Sequence, residues 1–135
     1  MPPDAKITPG PPLTFPMRRG DVLCFGRDAG LLRTRVAVLT GIARVQSATD
    51  LMQMADLATH QRFDLIILCH TLSDADCGLA FQVARRNWPE AQILAVASSS
   101  RGCSSENYDE VFSDWFNPRA FVERVTVLLG RKTGN

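Results

Sequence analysis

The chain has 135 residues, a formal net charge of +1, 45% hydrophobic residues and 21% charged residues, as expected for one soluble globular domain. This length excludes a multidomain enzyme. Fifteen basic side chains are set against fourteen acidic ones, so we expect neither nucleic acid nor a membrane surface as a partner.

The first 17 residues contain six of the eight prolines and few large apolar side chains. Such a segment cannot bury enough surface to offset the entropy of ordering it. The sequence therefore predicts a flexible leader at 1–17, a domain at 18–132 and a short tail at 133–135. The prolines also interrupt the apolar stretch that a secretory signal needs, which favours a cytoplasmic location.

Five short segments of the domain are predicted to be strands. The blocks 22–25, 65–68 and 93–96 are apolar at every position, which is typical of central parallel strands covered on both faces. The segments 43–46 and 110–113 are more polar and are predicted to be edge strands.

Residues at helical spacing lie between these strands and predict amphipathic helices. The stripes are Leu32, Val36 and Leu39; Leu51, Ala55 and Ala58; and, more weakly, Ala80, Val83, Ala84 and Asn87. A last helix is predicted to begin at Asn117–Pro118, a capping residue followed by a first-turn proline, and to end at Gly130. Alternating strands and helices predict a doubly wound α/β domain with a parallel sheet.

The four cysteines, Cys24, Cys69, Cys77 and Cys103, show no tight metal-ligand spacing and are predicted to be reduced and mostly buried. Cys69 precedes His70, which suggests a nucleophile and its base, but adjacent residues of a strand point to opposite faces. A buried thiol is the favoured interpretation. A metal site built from Cys69, His70, Cys77 and Cys103 at the carboxyl end of the sheet stays open as a weaker alternative.

The order of elements and several sequence segments resemble the receiver domain of bacterial two-component response regulators, the CheY-like family, over residues 20–132. The segments that carry this resemblance are 63–68, 76–89 and 116–118. The resemblance implies a five-stranded parallel sheet of order 2-1-3-4-5 in a flavodoxin-like, three-layer sandwich. That order agrees with the central and edge strands assigned from hydrophobicity.

The same resemblance implies where a phosphorylation site would lie, and each of its positions is altered here. Cys69 replaces the acceptor aspartate at the end of the third strand. Gly26 and Arg27 replace the magnesium-binding acidic pair, with Asp28 displaced by one place. The switch hydroxyl falls at Ala97, with Ser98 as a substitute, and Asp114 replaces the lysine of the fifth strand.

These replacements predict a pseudo-receiver, because phosphoryl transfer depends on positioned metal and neutralised charge. We therefore expect no enzymatic activity, catalytic residue, metal or other cofactor.

The reversed charges of Arg27 and Asp114 predict an ion pair between them. Asp74 and Asp76 are interpreted as part of a capped helix start at Ser73 in preference to a cation site. The serine-rich segment 98–105 predicts a shortened fourth helix.

The function predicted from the resemblance is that of a stand-alone module of two-component-type signal transduction in a bacterium. It would act through a protein partner or a second copy of the chain, without aspartyl phosphate. Tyr108, Trp115 and Phe116 are candidate interface residues, because aromatic side chains often anchor partners. Two alternatives stay open: a sensor of ligand, metal or redox state that uses the Cys69 pocket, and a phosphorelay receiver with a displaced acceptor such as Asp28.

Overall fold

A computed structural model describes residues 20–69, 71–97, 108–112 and 117–133, with the side chains of 131–133 left aside. The strands are β1 (Asp21–Phe25), β2 (Arg44–Ala48), β3 (Leu65–Leu68), β4 (Gln92–Val96) and β5 (Glu110–Phe112). The helices are α1 (Ala29–Leu39), α2 (Leu51–Leu57), α3 (Asp74–Asn87) and α4 (Pro118–Thr133). The leader predicted at 1–17 and the shortened helix predicted in 98–105 lie outside the described residues.

All neighbouring strands pair in parallel, and the sheet has the order β2-β1-β3-β4-β5. The predicted fold and strand order are thereby confirmed, with β2 and β5 at the edges. The β2 strand lies farther along the chain than predicted, because Arg44 is the residue in register with Asp21 at the start of β1. The residues of this polar strand give only a weak local signal, so its position is decided by pairing with β1.

The sheet is buried on both faces because its apolar side chains alternate between two core clusters. One cluster joins Val22, Cys24, Leu65 and Ile67 of the sheet to α1 and α4. The other joins Leu23, Phe25, Ile66 and Leu68 to Met54 of α2 and to the small residues of α3. The domain therefore has three layers, as predicted.

Two helices differ from their predicted patterns. In α2 the fully buried side chain is Met54, whereas Ala55 is exposed. A methionine removes more apolar surface from water than an alanine does, so the helix turns its larger side chain inward. The last helix, α4, passes through Gly130 and continues to Thr133. Glycine lowers helix propensity by only about 1 kcal/mol, which does not by itself end a helix.

Side-chain caps fix the beginnings of the helices. The backbone N of Ala120 donates to Oδ1 of Asn117 at 3.1 Å, which confirms the predicted start of α4. At the carboxyl end of α3, Trp88 closes the helix. Its ring packs edge-on against Phe63, and its Nε1 donates to the carbonyl of Gln61 at 2.9 Å.

In the described part of the chain, no helix combines the length and hydropathy needed to cross a bilayer.

We expect the two faces of α4 to differ sharply in their contribution to stability. Leu128 is 1% exposed and its neighbour Val127 is 50% exposed. Leu128→Ala should lower the free energy of unfolding by about 2–5 kcal/mol, because it leaves a cavity in the core. The matched change Val127→Ala should stay within about 0.5 kcal/mol. Urea unfolding of both variants checks this, and equal losses would contradict the assigned orientation of α4.

Candidate functional site

The candidate site lies at the carboxyl ends of the strands, where doubly wound sheets bind their ligands. Two loops of this carboxyl edge are described throughout, residues 26–28 after β1 and 49–50 after β2, and the loop between β3 and α3 is described at 69 and 71–73. Cys69 directly follows β3, and Ala97 directly follows β4. The structure thus brings Gly26, Arg27, Asp28, Cys69 and Ala97 to one edge of the sheet, as the sequence predicted.

Cys69 is buried, with only 2% of its surface exposed. Its backbone N donates to the carbonyl of Phe25 at 2.9 Å, so it extends the pairing of β3 with β1. Burial raises the pKa of the Cys69 thiol above its ordinary value, and the nearby Arg35 guanidinium offsets part of that rise. A protonated, enclosed thiol is a poor nucleophile and metal ligand. The buried-thiol interpretation is favoured, and His70, its proposed base, lies outside the described residues.

A second thiol, that of Cys24, belongs to the same core cluster. Burial raises its pKa as well, and the neighbouring Cys69 adds to the effect. Both cysteines are free. Cys77, in contrast, is disulfide-bonded, so the prediction that all four cysteines are reduced was wrong for it. Sequence spacing does not reveal which sulfurs meet in space; Cys103 lies outside the described residues.

Gly26 leaves room for Cys69 at the end of β1. A Cβ atom added at Gly26 would lie 2.9 Å from the Cβ of Cys69 and 3.2 Å from Oγ1 of Thr71. Real Cβ atoms do not approach this closely, so only glycine fits without a shift of the loop. The first of the two replaced acidic positions is therefore occupied by a packing residue.

Arg27 occupies the second of these positions, and its guanidinium contacts the loop after β2 and the first turn of α3. Its Nε and Nη2 donate to the two carboxylate oxygens of Asp76 at 3.2 and 2.8 Å, and its Nη1 donates to the carbonyl of Thr49 at 3.0 Å. The backbone N of Arg27 donates to Oγ1 of Thr71 at 3.2 Å. Arg27 therefore forms an ion pair with Asp76 that the sequence did not predict; the predicted pair with Asp114 stays a prediction, because Asp114 lies outside the described residues.

Arg27 and Asp76 stabilise each other's charged forms, and this shifts the pKa of both groups. The hydrogen bond from Arg27 lowers the pKa of Asp76 and raises the pKa of Arg27. Both side chains are partly open to solvent, 43% for Arg27 and 21% for Asp76. Such a pair contributes about 1 kcal/mol or less to stability.

Three other polar residues of the edge, Asp28, Asp50 and Ser73, act as helix caps. Oδ1 of Asp28 accepts from the backbone N of Leu31 at 3.0 Å and so caps α1. Oγ of Ser73 accepts from the backbone N of Asp76 at 3.1 Å, which confirms the capping interpretation for α3. Asp50 caps α2 in the same way through the backbone N of Gln53. Asp28 is thus engaged locally, which weakens its case as a displaced acceptor.

Ala97 brings no hydroxyl to the edge, and its backbone N donates to the carbonyl of Phe112 at 2.9 Å. Tyr108, a candidate interface residue, is half-buried and packs against the core cluster of α2 and α3. The other predicted site residues, Ser98, Trp115 and Phe116, lie outside the described residues.

Arg35 was not singled out in the sequence, although it lies within the site's surroundings. It is 4% exposed, and its guanidinium carbon lies 5.7 Å from the ring centroid of Phe121. Its guanidinium also lies near the Cys69 thiol and opposes the rise in the pKa of that thiol. A sequence signal existed, because position 35 falls on the apolar stripe of Leu32 and Leu39, where a charged residue is uncommon.

The metal-site alternative finds no support in the described ranges, where no three His, Cys, Asp or Glu side chains are grouped as a metal site requires. Of the four residues proposed for it, Cys69 is enclosed in the core and Cys77 is disulfide-bonded. His70 and Cys103 lie outside the described residues.

Comparisons with known proteins give no match to a family and none to a functionally characterised protein. Solved structures, however, share the fold. A CheY-like receiver domain from Methanospirillum hungatei superposes with a TM-score of 0.73 at 16% identity, over 87% of this chain and 100% of the other. The signal receiver domain of an HD domain-containing protein from Pseudomonas fluorescens gives 0.71 at 13% identity, over 87% and 100%.

A third structure, described as a pilus assembly-related protein from Burkholderia pseudomallei, has a TM-score of 0.61 at 20% identity, over 89% of this chain and 96% of the other. At these identities the likeness establishes the fold alone. The chain therefore has the receiver-domain fold, and its function has to be argued from its site.

Replacing Gly26 should destabilise the domain through the contact with Cys69. We expect Gly26→Ala to lower the free energy of unfolding by on the order of 1–3 kcal/mol, because the added Cβ overpacks the end of β1. Gly41→Ala is the control, since nothing lies within 4 Å of a Cβ at that position. It should be neutral or stabilising by up to about 1 kcal/mol. Urea unfolding measures both, and an unaffected Gly26→Ala variant would contradict the close packing.

The ion pair of Asp76 should make a small, pH-dependent contribution to stability. Because the folded-state pKa of Asp76 is lowered, its contribution is present above the unfolded-state pKa of about 3.9 and is lost as the pH falls through the folded value. Asp76→Asn should therefore cost up to about 1 kcal/mol at pH 7 and less near pH 2.

Urea unfolding at the two pH values measures this difference. Asp74→Asn removes a carboxylate from the same first turn of α3 and so controls for the helix dipole. If the cost of Asp76→Asn does not exceed that of Asp74→Asn at pH 7, the ion pair contributes nothing measurable.

Proposed function

We propose that this chain is a pseudo-receiver: a signalling module of the response-regulator type that acts by binding a protein partner and does not use aspartyl phosphate. Membership of the receiver family is part of this proposal. The shared fold and the order of the sequence elements support it. The partner is another protein or a second copy of the chain, in a two-component-type pathway of a bacterial cytoplasm.

The observation that carries the proposal is the buried thiol of Cys69 at the carboxyl end of β3. Phosphoryl transfer to a receiver requires an ionised, accessible acceptor, whereas this side chain is enclosed and its pKa is raised. No oxygen nucleophile takes its place at this residue. The buried thiol therefore favours a role in binding over a role in catalysis.

Two neighbouring replacements support the same conclusion. The guanidinium of Arg27 bonds to Asp76 where the resemblance implies a magnesium-binding carboxylate. Asp28, the nearest carboxylate in sequence, caps α1. Magnesium binds through carboxylate oxygens in octahedral geometry and would have to displace these contacts.

The decisive test is the intact mass of the protein after incubation with a small-molecule phosphodonor and Mg²⁺. We expect no mass change for the native chain, because no acceptor is available at the end of β3. We expect no change for Cys69→Asp either, because Arg27 remains paired at the metal-binding position. A competent receiver domain treated in parallel shows that the phosphodonor is active.

A gain of one phosphoryl group by the native chain would overturn the proposal and restore a phosphorelay role with a displaced acceptor. Peptide mapping would then identify the acceptor, with Asp28 as the first carboxylate to examine. A gain by Cys69→Asp alone would show that the rest of the site is competent and that Cys69 is the only lesion.

A further inference from the structure

One side chain at the carboxyl edge of the sheet links the loops after β1 and β2 to the first turn of α3. Arg27 lies after β1, bonds to the carbonyl of Thr49 after β2, and bonds to the carboxylate of Asp76 in the first turn of α3. We refer to these three side-chain hydrogen bonds of Arg27 as the Arg27 bridge. The bridge thereby links the described strand-to-helix transitions that follow β1, β2 and β3.

Other side-chain hydrogen bonds described for these loops are mostly local. Asp28 bonds within the start of α1, Thr49 and Asp50 bond to Gln53 within the start of α2, and Ser73 bonds within the start of α3. Each of them holds its own loop to its own helix. The hydroxyl of Thr71 also crosses between loops, but its donor is the backbone N of Arg27, so that bond survives truncation of the Arg27 side chain.

We infer that the Arg27 side chain holds the loops after β1 and β2 and the start of α3 in one arrangement. Its removal should separate these segments locally while the sheet stays folded. This inference is independent of the proposed signalling role. A loop held by few buried apolar contacts opens at a low free energy, so one bridging side chain can change its open population several-fold. The strands below it are paired and fully buried and do not depend on the bridge.

The chain offers a matched control in Arg44. Its Nε and Nη2 donate to the two carboxylate oxygens of Asp21 at 2.8 and 2.9 Å, the same bidentate geometry as that of Arg27 with Asp76. Arg44 and Asp21, however, are already register partners in adjacent strands. Loss of that ion pair removes a contact between segments that the backbone ladder holds together in any case.

The experiment is amide hydrogen exchange of the full chain, comparing the native protein with Arg27→Met and Arg44→Met. We expect Arg27→Met to raise exchange on the order of threefold in the loops at 26–28, 49–50 and 71–73, with no change in β1 and β3. Arg44→Met should leave all three loops at their native rates.

Asp76→Asn gives a second, independent reading and covers the case in which Arg27→Met does not fold. It removes the charged partner but keeps the bond from Arg27 to the carbonyl of Thr49. Faster exchange should then appear at 71–73 and not at 49–50. The inference is overturned if the loops keep their native exchange rates in both Arg27→Met and Asp76→Asn, or if Arg44→Met produces the same pattern as Arg27→Met.

Discussion

Burial of the three central strands on both faces is the constraint on which the rest of this structure depends. Strands β1, β3 and β4 have no solvent-facing side, so helices have to cover both faces, and only the ends of the strands remain for polar chemistry. The carboxyl edge is the end where loops lead from strands into helices, and their backbone groups and caps are concentrated there. Fold and site location therefore follow from the same requirement to exclude water from the sheet.

At that edge, groups that pair with one another occupy the positions where a reactive site would be expected. A glycine admits the buried thiol of Cys69, an arginine binds a carboxylate of the next helix, and the nearest aspartate caps its own helix. Among the described residues, Arg27, Asp28 and Asp76 are each hydrogen-bonded within the chain, which favours one fixed conformation over ligand-dependent rearrangement.

Arg35 adds a charge to an interior that is otherwise apolar. Burying a guanidinium is costly unless it is hydrogen-bonded, and here it lies beside the Cys69 thiol and the Phe121 ring. The Arg35 guanidinium lies beneath the carboxyl edge, on the inner face of α1. Its positive charge opposes the rise in the pKa of Cys69 that burial produces, so a change in either residue should affect the other.

Much of the fold was predictable because its signals are local. Fully apolar blocks identified the central strands, and capping residues such as Asn117 and Ser73 identified helix starts within a turn. The signals failed where local preference is weak. The polar edge strand β2 takes its place from pairing with β1, and α2 turns Met54 inward, although the spacing of its alanines suggested another face.

The sequence by itself determined the fold class, the central and edge positions of the strands and the identity of the residues gathered at the carboxyl edge, because hydrophobic periodicity and chain order carry that information. The full order of the strands was implied by the resemblance to receiver domains. Only the tertiary structure decided how those residues pair. Arg27 meets Asp76, a pairing that the sequence did not predict, and Arg35 lies near Cys69 on the inner face of α1. Such pairings depend on distances between loops remote in sequence, and these are set by the packing of helices on the sheet, which no spacing along the chain records.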